Sequence, residues 1–120
     1  MKPTHTFEGN ISTGIQYEWE LDLSKKDFSR QLVIDALGFA FGSITIQTVK
    51  ATGTSGTVIC MQGNQLNQLV AISDKSQGIS ANSAWNIVDV VVSCRYFVVD
   101  LTSATLGSVG KIIISATLKR

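Results

Sequence analysis

Cys94-Arg95-Tyr96-Phe97-Val98-Val99-Asp100-Leu101 is dense in β-branched and aromatic residues, and Lys111-Ile112-Ile113-Ile114-Ser115-Ala116-Thr117-Leu118 repeats that character. Between them, Thr102 to Gly110 is short and rich in Ser, Thr, Ala and Gly. Two strand-like runs around a Gly/Ser-rich connection predict a β-hairpin. The run Ile112-Ile113-Ile114 is apolar at successive positions, so the hairpin is expected to be covered on both faces.

Working backwards, Ala84 to Val92 reads as one long strand with room for a bulge, and Leu69 to Ile72 as a short one. Asp74 to Ser83, made of Ser, Asn, Gln and Gly, reads as a polar connection. Ser43 to Ala51 and Thr57 to Gln62 read as antiparallel strands joined by the turn Thr52-Gly53-Thr54-Ser55-Gly56. Before them, Gly38-Phe39-Ala40-Phe41-Gly42 is an aromatic loop bounded by glycines, placed to cap the open end of a sandwich or to face a neighbour. Gln31 to Leu37 is a strand, and the charged segment Asp22 to Ser29 is a loop or one helical turn capped by Ser24 with Asp27. Ile15, Tyr17, Trp19 and Leu21 alternate with Gln16, Glu18 and Glu20, the period of a half-buried strand.

Eight or nine short strands with turns at near-regular spacing and no convincing helix predict an all-β fold, an antiparallel two-sheet β-sandwich of jelly-roll type. The expected division is a single sandwich domain over 15–120, preceded by residues 1–14 as an N-terminal arm or first edge strand. Phe7 and Ile11 in that segment, with Phe39 and Phe41 of the aromatic loop, are the candidate interface residues.

The chain has 120 residues, enough for one real core. Charged residues make up 16%, below the roughly 25% usual for a soluble domain. Two readings of that deficit stand open: a surface covered by a partner, or a sandwich surfaced with Ser, Thr, Asn and Gln. The net charge of +1 gives no reason to expect nucleic acid or an anionic membrane as a partner. No apolar leader or membrane-length apolar run is read in the sequence, so the protein is expected to be made in a cytoplasm. Cys60 and Cys94 lie in apolar runs and are expected to be buried, reduced thiols.

Chemistry finds little foothold. The single histidine, His5, leaves no Ser-His-Asp or Cys-His set and no zinc spacing. Glu18 and Glu20 share the polar face of one strand, where solvated acids are ordinary. Asp89 and Asp100 sit within apolar runs, either outward on strands or paired with Arg95 or Lys111. Trp19 and Trp85 read as core anchors. No cofactor or metal is expected, and no enzymatic activity.

Ala51-Thr52-Gly53-Thr54-Ser55-Gly56-Thr57-Val58 followed by Gln62-Gly63-Asn64, then Trp85 to Val88, Cys94 to Val99 and Gly110 to Leu118, resembles the turn-and-strand run of small β-sandwich structural proteins of tailed-bacteriophage virions. Here Asn64-Gln65-Leu66-Asn67-Gln68 stands where that pattern has an Asp-Gly turn and a Trp. The resemblance implies a non-enzymatic virion structural protein, a capsid decoration or cement, vertex or tail component. Its partners would be itself, as a homo-oligomer such as a trimer or pentamer, and other virion proteins, with localisation in the virion. A second class, a carbohydrate- or receptor-binding β-sandwich module, would be marked by exposed aromatics on one sheet face. A jelly-roll enzyme would need a cluster of His and carboxylates.

Overall fold

The computed structural model describes the backbone of residues 5–8 and, in full, residues 14–120. Its elements are β1 (His5–Glu8), β2 (Gly14–Asp22), β3 (Gln31–Asp35), β4 (Phe41–Val49), β5 (Ser55–Gly63), β6 (Val70–Gly78), β7 (Ser83–Val91), β8 (Tyr96–Asp100), the two-residue β9 (Ala104–Thr105) and β10 (Lys111–Lys119). There is no helix among the described residues. Two antiparallel sheets pack together as a β-sandwich. Sheet A has the order β1-β2-β10-β4-β7 and sheet B the order β3-β8-β5-β6, with β9 paired to the start of β5. The N-terminal strand is thus the edge of the protein's own sheet A. Ile11 lies outside the described residues, as does the side chain of Phe7.

The two expected hairpins are not formed. β8 lies in sheet B between β3 and β5, while β10 lies in sheet A between β2 and β4. Likewise β4 belongs to sheet A and β5 to sheet B. Each connection crosses the sandwich, a gap of about 10 Å. The reason is in the connections themselves. Leu101, Ala104 and Ala51 are buried, Leu106 packs on the core, and these residues plug one end of the sandwich. The plug is held by backbone bonds from Leu101 to Arg30 and from Ala51 to Ala81, and by the buried Thr54 hydroxyl, which accepts from the Gly107 N–H. A solvated hairpin turn has no use for these apolar side chains.

The core follows the alternation of one-faced strands. Trp19 and Leu21 of β2, Ile112, Ile114, Ala116 and Leu118 of β10, and Ile44 and Ile46 of β4 face Leu32 and Ile34 of β3, Phe97 and Val99 of β8, and Val58 and Cys60 of β5. Trp85 is partly buried against the same core. Ile113 lies on the other side of β10, between Glu20 and Gln47, and is half-buried, so β10 is covered on one face rather than two. Thr48, buried near the plug end of β4, bonds both backbone groups of Ser83, the first residue of β7.

Two further strand boundaries and one turn cap differ from the sequence-based expectation. Phe41 and Gly42 belong to β4, since Phe41 pairs with both Lys119 and Val91. The polar stretch Asp74 to Gly78 continues β6 along β5, interrupted by a bulge. As an edge strand it is stabilised by backbone bonds and leaves no apolar alternation in the sequence. The turn after β2 is capped by Asp22, not Ser24. The Ser24 N–H and hydroxyl both donate to Asp22 Oδ1, holding its pKa below the ordinary value.

Both cysteines are free, but only Cys60 is buried. Cys94 falls in the connection between β7 and β8 and is half-buried there. Burial pushes the Cys60 thiol up to about 12, against the opposing pull of the nearby Lys75 ammonium. At pH 8 that leaves on the order of one thiolate in ten thousand, and the thiolate is the reactive form. In the native protein Cys94 is therefore expected to react with a maleimide in a few minutes, while Cys60 reacts only on unfolding. Stoichiometric labelling of both at equal rates would contradict the placement of Cys60.

Candidate functional surfaces

The outward faces of the two sheets differ in kind. On sheet A two outward rows, Gln16–Thr117–Ser43 and Glu18–Ser115–Thr45–Asn86, are polar, with the Thr45 hydroxyl donating to Asn86 Oδ1, and apolar residues stand in the rows on either side, Ile113 in one and Phe41 with Val91 in the other. On sheet B the corresponding row runs Val33–Val98–Met61–Ala71 across all four strands. Ile59 and Tyr96 extend it along β5 and β8. None of Val33, Ile59, Met61, Tyr96 and Val98 joins the core, because their neighbours Leu32, Cys60, Phe97 and Val99 fill the inward positions. Val98 is 0% exposed although it points away from the core, flanked by the half-buried Val33 and Met61. The rim of this face is polar. Asp35 pairs with Arg95 at 3.3 Å, and the Arg95 guanidinium lies 5.0 Å from the Tyr96 ring centre. Asp100, buried at the far end, accepts from the Thr102 N–H and hydroxyl instead of meeting a cation.

A second feature lies where the connections β3–β4, β5–β6 and β7–β8 gather, at the end of the sandwich opposite the plug. Five of the exposed large apolar side chains sit on or beside that end: Leu37, Phe41, Leu66, Val70 and Val91. The loops are tied together by side chains, with Asn64 Oδ1 accepting from the Arg95 N–H and Gln62 Oε1 from the Ser93 N–H. Of the two aromatics expected here, Phe39 is partly buried against the core and lies under the Arg120 guanidinium, 4.9 Å from its ring centre. Phe41 is 53% exposed.

Phe41 borders a depression of about 380 Å³ on the outward face of sheet A, lined also by Ser43, Thr117, Lys119, Val88, Asp89 and Val91. A bulge creates it. Gly42 pairs with Val90 and Ile44 with Ile87, so Ser43 of β4 faces two residues of β7, Val88 and Asp89. The extra residue changes the parity of the strand. Ile87 faces in, Val88 and Asp89 both face out, and Val90 faces in again. The carbonyl of Val88 at this bulge accepts from Lys75 Nζ of β6 at 2.8 Å, joining the edges of the two sheets. A second depression, of about 340 Å³, lies at the other end of the same face, where Glu20 and Lys111 form an ion pair of 3.2 Å.

Glu18 is half-buried beside Ser115, and Glu20 bridges to Lys111. Among the described residues no group of three or more His, Cys, Asp and Glu side chains is placed to hold a metal ion. No helix among them is long and apolar enough to cross a membrane. The outward apolar row of sheet B escaped the sequence reading, but its signal was present: Val58-Ile59-Cys60-Met61 and Phe97-Val98-Val99 are apolar without alternation.

The bulge depends on Asp89, which holds φ 55°. Asp tolerates this left-handed region, whereas a β-branched residue pays roughly 1–2 kcal/mol there. Asp89→Val is therefore expected to lower stability by about that amount in urea denaturation, and Asp89→Gly to leave it nearly unchanged. Equal stability of both variants would contradict the bulge.

No protein-family model matches the chain, and no curated protein matches it. Among solved structures, the crystal structure of PirA is similar at a TM-score of 0.43 and 8% sequence identity, over 88% of this chain and 93% of that one.

Proposed function

We propose that this protein is a non-enzymatic structural module that works by packing, with the outward face of sheet B as its main contact, and that its setting is the virion type its sequence resembles: a decoration, vertex or tail component. The observation that carries the reading is the row Val33–Val98–Met61. An antiparallel sheet facing water on one side alternates apolar-in with polar-out, as sheet A does along its rows Gln16–Thr117–Ser43 and Glu18–Ser115–Thr45–Asn86. Sheet B places aliphatic residues on both sides of its two central strands, the pattern of a sheet covered on both faces. The polar rim of Gln31, Asp35, Arg95 and Ser76 around that apolar centre is the layout of a protein interface. A carbohydrate-binding reading draws on Phe41 beside its depression, but Trp19 is buried and Trp85 is packed on the core, so neither tryptophan offers an aromatic platform on its sheet.

The test is Met61→Lys. Met61 is half-buried on the outward face, so the lysine stem keeps most of its contacts and the ammonium reaches solvent. The wild-type chain is expected to sediment as a closed oligomer of three or more copies. The variant is expected to keep its thermal midpoint within a few degrees and to lose that oligomer. A wild-type chain that stays below a trimer at 0.5 mM, with Met61→Lys changing nothing, would count against the reading.

A further inference from the structure

At the loop-bearing end of sheet A the register sets Lys119 of β10, Phe41 of β4 and Val91 of β7 side by side in one row. Val88 and Asp89 follow in the next row, opposite Ser43 and Thr117. Phe41, Val88 and Val91 are each more than half exposed, at 53%, 53% and 57%. This apolar cluster is flanked by the Lys119 cation and the Asp89 anion on the two strands either side of β4, about 10 Å apart at the usual strand spacing, with the Lys75 ammonium held on the Val88 carbonyl at the β7 edge. Neither Lys119 nor Asp89 takes part in an ion pair among the described residues, where the cation–carboxylate pairs are Arg95–Asp35 and Lys111–Glu20.

We infer that this patch docks a second copy of the same chain, face to face, about a two-fold axis lying in the contact plane and running along β4. Such an axis exchanges the two flanks. Phe41 meets Phe41 of the second copy, and Asp89 of each copy lies beside Lys119 of the other. A patch carrying both signs on opposite sides of an apolar centre is complementary to itself under this operation, the requirement for an isologous contact. Pairing through the sheet edge is disfavoured on the same side, because the bulge at Val88 and Asp89 interrupts the ladder of the edge strand β7. The patch is a few strands wide, well under the roughly 800 Å² per partner of a stable interface, so the pair is a weak one, of about micromolar to millimolar affinity. The inference takes from the proposed function only that the chain associates with itself.

The test is therefore run in the Met61→Lys chain, which removes the sheet B contact, by sedimentation equilibrium from 10 µM to 1 mM. A dimer is expected, strengthened at low salt. Lys119→Asp sets two acids against each other at both ends of the patch, and Asp89→Lys sets two ammonium groups there. Each is expected to weaken association about tenfold or more. Lysine is acceptable at position 89, since Lys26 and Lys50 hold φ 55° and 51° in this chain. An equimolar mixture of the two variants restores opposite charges at both contacts and is expected to recover the dimer as a heterodimer. Phe41→Ala is expected to abolish it. A monomeric Met61→Lys chain at 1 mM, or a mixture that associates no better than its components, would overturn the inference. An intact wild-type ring alongside that result would leave the proposed function standing. A dimer of the Met61→Lys chain, with no larger ring formed by the wild type, would support the patch and count against the proposed function.

Discussion

Two sheets, each apolar on its inward side, must cover one another, and the rest of this structure follows from that constraint. β10 supplies Ile112, Ile114, Ala116 and Leu118 to one side of the gap, and β8 supplies Phe97 and Val99 to the other. Neither strand finishes its burial by pairing with the other, because a hairpin lies in one sheet and leaves its inward face open. The chain therefore switches sheets after most strands, as it does between β2 and β3, β3 and β4, β4 and β5, β6 and β7, β7 and β8, and β8 and β10. The crossings put Ala51, Leu101 and Ala104 over one end of the core and leave the other end to loops that carry Leu37 and Leu66 outward and to the strand ends that carry Phe41 and Val91. The candidate surfaces are by-products of this arrangement.

Much of the fold was legible. Ile15 to Leu21 alternates in the sequence as it does in the structure, and the one-faced strands, the absence of a convincing helix and the two-sheet class all follow from such alternation. Pairing was not legible, because period-2 patterning says which face of a strand is buried and nothing about its neighbour. The connections Thr52 to Gly56 and Thr102 to Gly110 have turn composition, and that composition outweighed the small apolar residues within and beside them. Those residues, Ala51, Leu101, Ala104 and Leu106, were the sign of a crossing. Edge strands are silent for a related reason: β6 beyond Asp74 is held by backbone bonds, which leave no mark on side-chain pattern.

The surfaces were partly legible. The parity change from Trp85 and Ile87 to Val90 and Val92 encodes the bulge and hence the depression beside Phe41. Phe41 was reached from its glycine-bounded setting, though as a loop residue and not as the first residue of a strand. The apolar outward row of sheet B required knowing that β3, β8 and β5 are neighbours. Val33, Val98 and Met61 are scattered along the sequence and become a surface only through the sheet crossings.

That dependence makes strand pairing the direct test. Cross-strand backbone NOEs in the full-length protein should pair Val98 with Val33 and with Met61, and Ile114 with Trp19 and with Ile46. The account predicts both sets, with none joining residues 96–100 to residues 111–119. A ladder of NOEs between those two segments would restore the hairpin, dissolve the row Val33–Val98–Met61 and contradict the account.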